Sequence, residues 1–195
     1  MRPSGSTKDR QPISNPEFKR LIEVTQRDRA LQHNTRLKML RAFTLLRLSA
    51  CRVSEIIQFR AEDIAHITRT GSISLNNQNK TKKPRLLRFN QNGIIMLKSL
   101  DLSDTNGALF YKNGSSSSMS VAVFTRELNK QIKKVLGELY TSHSFRAGLI
   151  TDILQATGNI KIAQAVAGHS SYKTTIEYIK ASNEQIYEAI GKVIK

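Results

Sequence analysis

Three short motifs between residues 143 and 178 organise the rest of this sequence: His143-Ser144-Phe145-Arg146, Gly168-His169-Ser170-Ser171, and Thr174-Thr175-Ile176-Glu177-Tyr178. They combine the side chains needed to hold and attack a phosphodiester. An arginine offers a planar fork of donors to phosphate oxygens, a histidine donates hydrogen bonds or moves protons, and a tyrosine hydroxyl can act as a nucleophile. Helices are predicted over residues 145–157, 160–167 and 171–180, because Gly158 and Gly168 separate the apolar runs. Arg146, His169 and Tyr178 then lie near helix ends, where they can converge on one phosphate.

A second cation is needed to neutralise both non-bridging oxygens of such a phosphate, and Arg52 is the upstream candidate. It lies in the segment Ser49-Ala50-Cys51-Arg52-Val53-Ser54-Glu55-Ile56-Ile57. A mostly apolar helix is predicted over residues 34–50, and Ser54 can cap a short helix after it. Arg52 is therefore expected in the connection between two helices, where its side chain can be held rigidly and still reach solvent.

The order and spacing of these motifs identify a family resemblance. Arg52 followed by Ser54-Glu55, then His143-x-x-Arg146, Gly168-His169 and Tyr178 nine residues after His169, resemble the tyrosine recombinases of the phage-integrase type. The resemblance covers roughly residues 35–195. It implies an α+β fold that is mainly α-helical with a small β-hairpin or sheet, and an enzyme that cleaves and rejoins DNA strands at specific sites.

The resemblance also implies a role for each motif residue. Arg52 and Arg146 would clamp the non-bridging oxygens and His169 would donate a third hydrogen bond. Tyr178 would attack to form a covalent 3′-phosphotyrosine, with His143 as its proton acceptor or hydrogen-bond partner. Glu55 matches a carboxylate of the family and would orient Arg52 or another cation of the site.

A basic hairpin is predicted between residues 72 and 89. Two strand-like runs, at 73–75 and 86–89, flank a polar segment that contains three lysines. The resemblance places the general acid for the leaving 5′ oxygen at Lys80, with Lys82 and Lys83 as competitors for that role. Otherwise Lys82 and Lys83, together with Arg85, are interpreted as DNA-binding residues.

The sequence departs from the family pattern at three points. Ala50-Cys51 stands where many members have a glycine before the first arginine, and Ala147 stands where many have a second histidine. Residues 1–34, interpreted as a lead-in and one helix starting at Ser14, are too few to encode the N-terminal core-binding domain that members usually carry. We therefore expect residues 35–195 to form the catalytic domain, either isolated or naturally minimal.

Composition independently indicates a polyanionic partner. The 195 residues contain 31 Lys and Arg against 15 Asp and Glu, a net charge of +16, and most of the excess lies in residues 1–100. Such a balance is typical of proteins that bind nucleic acid. Double-stranded DNA is the predicted partner. The protein is expected in the cytoplasm or elsewhere inside the cell, on the nucleoid or on host-cell DNA. No apolar run reaches the roughly 20 residues of a membrane span.

No cofactor or metal is expected. Cys51 is the only cysteine, so neither an intramolecular disulfide nor a cysteine-rich zinc site can form. Cys51 is interpreted as a small buried apolar residue rather than a redox group.

A terminal helix with one apolar stripe is predicted over residues 183–194. Ile186, Ile190, Val193 and Ile194 form the stripe, which must be buried on this domain or on a neighbouring protomer. Docking in trans is favoured, because in similar enzymes this segment links the protomers of a tetramer on DNA. The sequence therefore predicts a homotetramer on DNA.

Two other functions are compatible with parts of the sequence. A non-catalytic helix-turn-helix DNA-binding regulator would explain residues 160–176, but it leaves Arg52, His143 and Arg146 without a task. A DNA-packing protein would explain the charge alone, and it leaves Tyr178 and the hairpin unexplained.

Overall fold

A computed structural model of the chain describes residues 11–75, 84–105, 107–112 and 118–168. These residues form a mainly helical fold with one small two-stranded sheet, which confirms the predicted fold class. In chain order the elements are α1 (Asn15–Arg27), α2 (His33–Ser49), α3 (Val53–Ile56), α4 (Ala61–Thr70), β1 (Ser72–Leu75), β2 (Arg85–Arg88), α5 (Gln91–Lys98), α6 (Val121–Leu136), α7 (Ser142–Thr157) and α8 (Ile160–Ala167).

Helix α1 begins where the sequence predicts. The Ser14 side chain accepts a hydrogen bond from the Glu17 backbone, and the Glu17 carboxylate accepts one from the Ser14 backbone N–H at 2.7 Å. This reciprocal cap satisfies two backbone donors that a helix start otherwise leaves unpaired. The helix ends at Arg27. Asp28 adopts an extended backbone and accepts a hydrogen bond from the Ala30 N–H at 3.1 Å, which turns the chain toward α2.

The hydrophobic core is built around α2. Phe43 of α2 stacks on Phe145 of α7, with ring centroids 5.7 Å apart, and Phe18 of α1 packs edge-on against the same Phe145 ring at 6.3 Å. Phe18 and Leu21 belong to the same buried cluster as α2. Helix α1 therefore contributes apolar surface to the same core as α2.

The segment before α1 is fixed to α7. The Ile13 N–H donates to the Ser144 carbonyl at 3.0 Å, and the Arg47 Nη1 donates to the Ile13 carbonyl at 3.3 Å. Arg47 is largely buried and also ion-pairs with Asp152. The Ile13 side chain is fully buried. This approach is close because position 148 is a glycine: a Cβ there would lie 2.2 Å from the Ile13 carbonyl oxygen.

Helix α4 was not predicted from the sequence. Its start is capped by Asp63, whose carboxylate accepts a hydrogen bond from the Arg60 N–H at 2.8 Å, and its end is Gly71 in the left-handed region at φ 75°. Ile64 and Ile67 bury its inner face. The helix leads directly into β1.

Strands β1 and β2 form the predicted antiparallel hairpin, with Ser72 opposite Arg88 and Leu75 opposite Arg85. The lysines predicted at its tip, Lys80, Lys82 and Lys83, lie outside the described residues.

Helices α7 and α8 follow α6 and end at Gly158 and Gly168, as the sequence predicts. Ile150 of α7 and Ala163 and Ala167 of α8 form a second, smaller buried cluster between them. Across the described parts of the chain, every helix is too short or too polar to cross a membrane.

Candidate active site

The site is an open cleft of about 150 Å³ where three elements meet. Its walls come from the connection between α2 and α3, from α6 and from the first turn of α7. Three predicted catalytic residues, Arg52, His143 and Arg146, line it together. Arg52 lies about ninety positions before the other two in the sequence, so their meeting depends on the packing of α7 on α2. The full lining is Cys51, Arg52, Val53, Ser54, Val121, Thr125, Ser142, His143 and Arg146.

Arg52 occupies the position directly before α3. The preceding Ala50 adopts the left-handed conformation, at φ 50° and ψ 24°, which ends α2 and redirects the chain. The Arg52 backbone is extended, and its N–H donates to Glu55 Oε2 at 2.6 Å. The side chain remains 37% exposed, so its guanidinium reaches the cleft surface from a fixed backbone. This is the connection between two helices that the sequence predicted.

Glu55 is a buried carboxylate shared between two arginines. Its side chain is 1% exposed, Arg52 Nη1 lies 3.8 Å from Oε1, and Arg85 Nη1 lies 3.7 Å from Oε2. Oε1 accepts no hydrogen bond from the part of the chain that the structure describes. A buried carboxylate is costly unless cations compensate it. Glu55, which was predicted to orient Arg52 or another cation of the site, therefore contacts both Arg52 and Arg85.

Arg146 is held more tightly than Arg52. Its residue is 3% exposed. Nη1 donates to the Ala50 carbonyl at 2.7 Å and Nη2 donates to the Ala167 carbonyl. The guanidinium therefore spans the ends of α2 and α8 while it lines the cleft. A planar fork fixed by two carbonyls has a defined orientation before any ligand binds, which is the property required of a preorganised donor.

His143 is exposed in the first turn of α7 and lines the cleft. The start of that helix is fixed from two sides. The Ser142 N–H donates to Asn129 Oδ1 of α6 at 2.7 Å, and the Thr141 N–H donates to Ser144 Oγ at 3.0 Å. The imidazole therefore projects from a positioned helix end at the cleft.

Arg85 does not have the exposed position expected of a DNA-binding residue. Its side chain is 9% exposed, and Nη2 donates to the Ser49 carbonyl at 2.8 Å and to the Val166 carbonyl. The physical reason is the alternation of β2: Arg85 shares the inner face with buried Leu87, whereas Leu86 and Arg88 face outward.

Cys51 lies in the wall of the cleft and is 2% exposed. Burial raises the pKa of its thiol, although Arg85 nearby opposes that shift. The thiol form is therefore favoured, in agreement with its interpretation as a small buried apolar residue.

Val121 and Thr125 of α6 also line the cleft, and neither was among the site residues predicted from the sequence. An apolar stripe does not by itself distinguish a helix that flanks a site from one that does not.

The remaining predicted residues, Lys80, Lys82, Lys83, His169, Tyr178 and the apolar stripe of residues 183–194, lie outside the described residues. The last described residue is Gly168, which ends α8 in the left-handed region at φ 65°.

Known proteins share sequence and fold with this chain. The family model described as the Phage integrase family matches residues 12–185. A tyrosine recombinase of Thermosipho africanus (strain TCF52B) is 26% identical over 180 residues, which are 91% of this chain and 62% of that relative. Tyrosine recombinase XerC of Leptospira interrogans (serovar copenhageni, strain Fiocruz L1-130) is 29% identical over 118 residues, 58% of this chain and 38% of the relative. The chain thus spans less than two thirds of the length of each of these two relatives.

Solved structures share the fold. The XerA recombinase superimposes with a TM-score of 0.70 at 24% identity, over 95% of this chain and 66% of that one. The XerH site-specific recombinase, bound to palindromic difH substrate in a post-cleavage complex, gives a TM-score of 0.73 at 17% identity, over 97% of this chain and 55% of that one.

Proposed function

The chain belongs to the phage integrase family, and on that premise we propose that it is a tyrosine-type site-specific recombinase. It cleaves and rejoins double-stranded DNA through a covalent 3′-phosphotyrosine intermediate. The observation that carries the proposal is the convergence of Arg52 and Arg146, from distant parts of the sequence, on one cleft in which both guanidiniums are oriented by protein contacts.

The electrostatics of the cleft suit a phosphodiester. A phosphate has two non-bridging oxygens that carry its charge, and a guanidinium on each side can donate to both. Glu55 and the carbonyls of Ala50 and Ala167 hold the arginines at fixed orientations, so little reorganisation is needed when charge shifts onto those oxygens. Arg52, with the more exposed side chain, would make the first contact.

The reaction follows from these groups together with three predicted residues outside the described part of the chain, Lys80, His169 and Tyr178. The Tyr178 oxygen attacks phosphorus, forming the P–O(Tyr) bond as the bond to the 5′ oxygen breaks. The tyrosine proton passes to His143, Lys80 donates a proton to the leaving 5′ oxygen, and His169 donates to a non-bridging oxygen. Rejoining is the same step in reverse with another 5′ hydroxyl, so the energy of the bond is retained and no nucleotide cofactor is consumed.

Charge supports DNA as the substrate. A net charge of +16 favours a polyanion, and the solved XerH structure of the same fold is a complex with its difH substrate. Lys82 and Lys83 would contribute phosphate contacts. Recognition of the base sequence would add to this charge-driven affinity.

A DNA duplex with a nick beside the cleavage site tests the activity, because the short product diffuses away and the covalent adduct accumulates. The wild-type chain should form an adduct that survives denaturation, and Tyr178→Phe should form none while its half-site Kd stays within a few-fold. Sequence-specific binding with no wild-type adduct would instead establish the helix-turn-helix regulator. Adduct formation by Tyr178→Phe would remove Tyr178 from the nucleophile role.

We also propose that the enzyme acts as a homotetramer on DNA, joined through the apolar stripe predicted at residues 183–194. A head-to-tail contact of this kind closes into a ring of protomers. A chain lacking residues 183–195 should melt as the full chain does and bind one half-site, but it should lose cooperative binding to paired half-sites in a mobility-shift titration. Retained cooperativity would refute docking in trans, and a collapsed melt would assign the stripe to the core of its own domain.

A further inference from the structure

The Arg85 guanidinium joins three separate elements at the back of the cleft. Nη2 donates to the Ser49 carbonyl at 2.8 Å, in the last residue of α2, and to the Val166 carbonyl near the end of α8. Nη1 lies 3.7 Å from Glu55 Oε2 and 3.8 Å from the Cys51 sulfur. Arg85 is the first residue of β2, so one side chain connects the hairpin to both helix ends and to α3.

The path from Arg85 to the phosphate site runs through Glu55. The carboxylate has Arg52 on one oxygen and Arg85 on the other, at 3.8 and 3.7 Å. Without Arg85, a carboxylate that is 1% exposed would have Arg52 as the one cation paired with it among the described residues. The carboxylate and the Arg52 guanidinium would then shift toward each other, because a buried charge moves to recover compensation.

A second path runs through the end of α8. Arg85 holds the Val166 carbonyl, two residues before Gly168. Gly168 in turn packs on the Arg85 side chain: a Cβ at position 168 would lie 2.9 Å from Arg85 Cδ and 3.1 Å from Nε. The glycine is thus required both by its φ of 65° and by the space that Arg85 occupies.

We infer that Arg85 is a positioning residue of the proposed phosphate site: it sets the orientation of Arg52 through Glu55 and the position of the α8 end through Val166. The inference rests on the proposed function, and it replaces the DNA contact that the sequence suggested. A side chain that is 9% exposed and bonded to two carbonyls contributes little to phosphate binding in the DNA interface.

The test separates orientation from affinity. Wild type, Arg85→Ala and Arg85→Met are compared by thermal melting, half-site Kd and the single-turnover rate of adduct formation on nicked DNA at saturating protein. We expect the saturating rate to fall about 10- to 100-fold, because small misplacements of positioning contacts have effects of this size. The half-site Kd should stay within about three-fold, since no phosphate contact is lost.

Gly168→Ala disturbs the same contact from the other side, and Gly158→Ala is its matched control. Gly158 ends α7 at φ 61°, and among the residues that the structure describes no atom lies within 4 Å of an added Cβ, so its variant carries the left-handed strain without the collision. Gly168→Ala should slow adduct formation by at least ten-fold more than Gly158→Ala. In the Arg85→Ala background, which lacks the Cδ and Nε atoms that the new Cβ would meet, the additional effect of Gly168→Ala should shrink to that of Gly158→Ala.

Three results would overturn the inference. The first is an Arg85 variant with a weakened Kd and an unchanged saturating rate, which would make Arg85 a phosphate contact. The second is a loss of cooperative melting in both Arg85 variants, which would make the residue purely structural. The third is independence of the Gly168 and Arg85 effects. Absence of a wild-type adduct is a distinct outcome that removes the proposed function and this inference together.

Discussion

Replacement of Gly148 by alanine is expected to destabilise the protein, although the change places a better helix former in the middle of α7. On helix propensity alone, alanine would stabilise an exposed helix interior by about 1 kcal/mol. In this structure the new Cβ would lie 2.2 Å from the Ile13 carbonyl oxygen and 3.0 Å from its carbonyl carbon. Both are backbone atoms, so no side-chain rotation relieves the overlap and the segment before α1 must move away from α7.

The cost can be estimated from the contacts of that segment. The hydrogen bonds from Ile13 to Ser144 at 3.0 Å and from Arg47 to Ile13 at 3.3 Å would be lost or lengthened, at about 1 kcal/mol each. Partial exposure of the fully buried Ile13 side chain adds about 1–2 kcal/mol. After subtraction of the propensity gain, we expect a net loss of about 2–3 kcal/mol in the free energy of unfolding.

Urea unfolding followed by circular dichroism measures this quantity, with Gly93→Ala as the control. Gly93 lies in the first turn of α5, where an added Cβ has its closest contact at 3.4 Å, to the Asn90 side chain. Gly93→Ala should be neutral or stabilising by up to about 1 kcal/mol. If Gly148→Ala behaved like Gly93→Ala, the docking of the segment before α1 on α7 would be refuted.

Two further predictions concern single side chains. Burial raises the pKa of Glu17, but hydrogen bonds from the Tyr140 hydroxyl and from Ser14 outweigh burial, so the pKa of Glu17 in the folded protein lies below its ordinary value of 4.5. The ionised carboxylate therefore stabilises the fold fully above about pH 4.5. This stabilisation is lost as the pH falls through the lower pKa of the folded state. Tyr140→Phe should therefore lower stability by about 1 kcal/mol at pH 7 and by progressively less below pH 4, and a pH-independent difference in urea midpoints would contradict this assignment. Arg52→Lys keeps the charge but loses the fork, so adduct formation should fall at least about 100-fold with little change in half-site Kd; a rate near that of wild type would make Arg52 a simple point charge.

Local signals in the sequence were sufficient for most of the helices and for both strands. Helix caps act over only a few residues, so helix ends can be predicted without knowledge of the fold. The caps in question are the pair Ser14 and Glu17 at the start of α1 and the glycines that end α7 and α8. Helix α4 was not predicted because only Ile64 and Ile67 form its buried face. Two such residues among ten do not make a recognisable helical pattern.

Some residues of the candidate site were likewise predictable from the sequence, and others were not. Arg52, His143 and Arg146 were identified by motif spacing, and the structure brings these three to one cleft. The inward position of Arg85 was missed because its partners, Ser49, Glu55 and Val166, come from elements far apart in the sequence. From the sequence, Arg85 was interpreted as a DNA-binding residue, whereas in the fold its contacts with these partners bury most of its side chain. The catalytic roles of all these residues are predictions, and Lys80, His169 and Tyr178 lie outside the described residues.

Arg85 and Arg146 pair the ends of α2 and α8 residue by residue. Arg85 bridges the carbonyls of Ser49 and Val166, and Arg146 bridges those of the next residues, Ala50 and Ala167. The two guanidiniums thus form consecutive rungs, which set the register of one helix terminus against the other and neutralise the negative ends of both helix dipoles. A one-residue insertion or deletion in α8 would mismatch both rungs at once, so the length of this helix is constrained as strictly as the identity of the arginines.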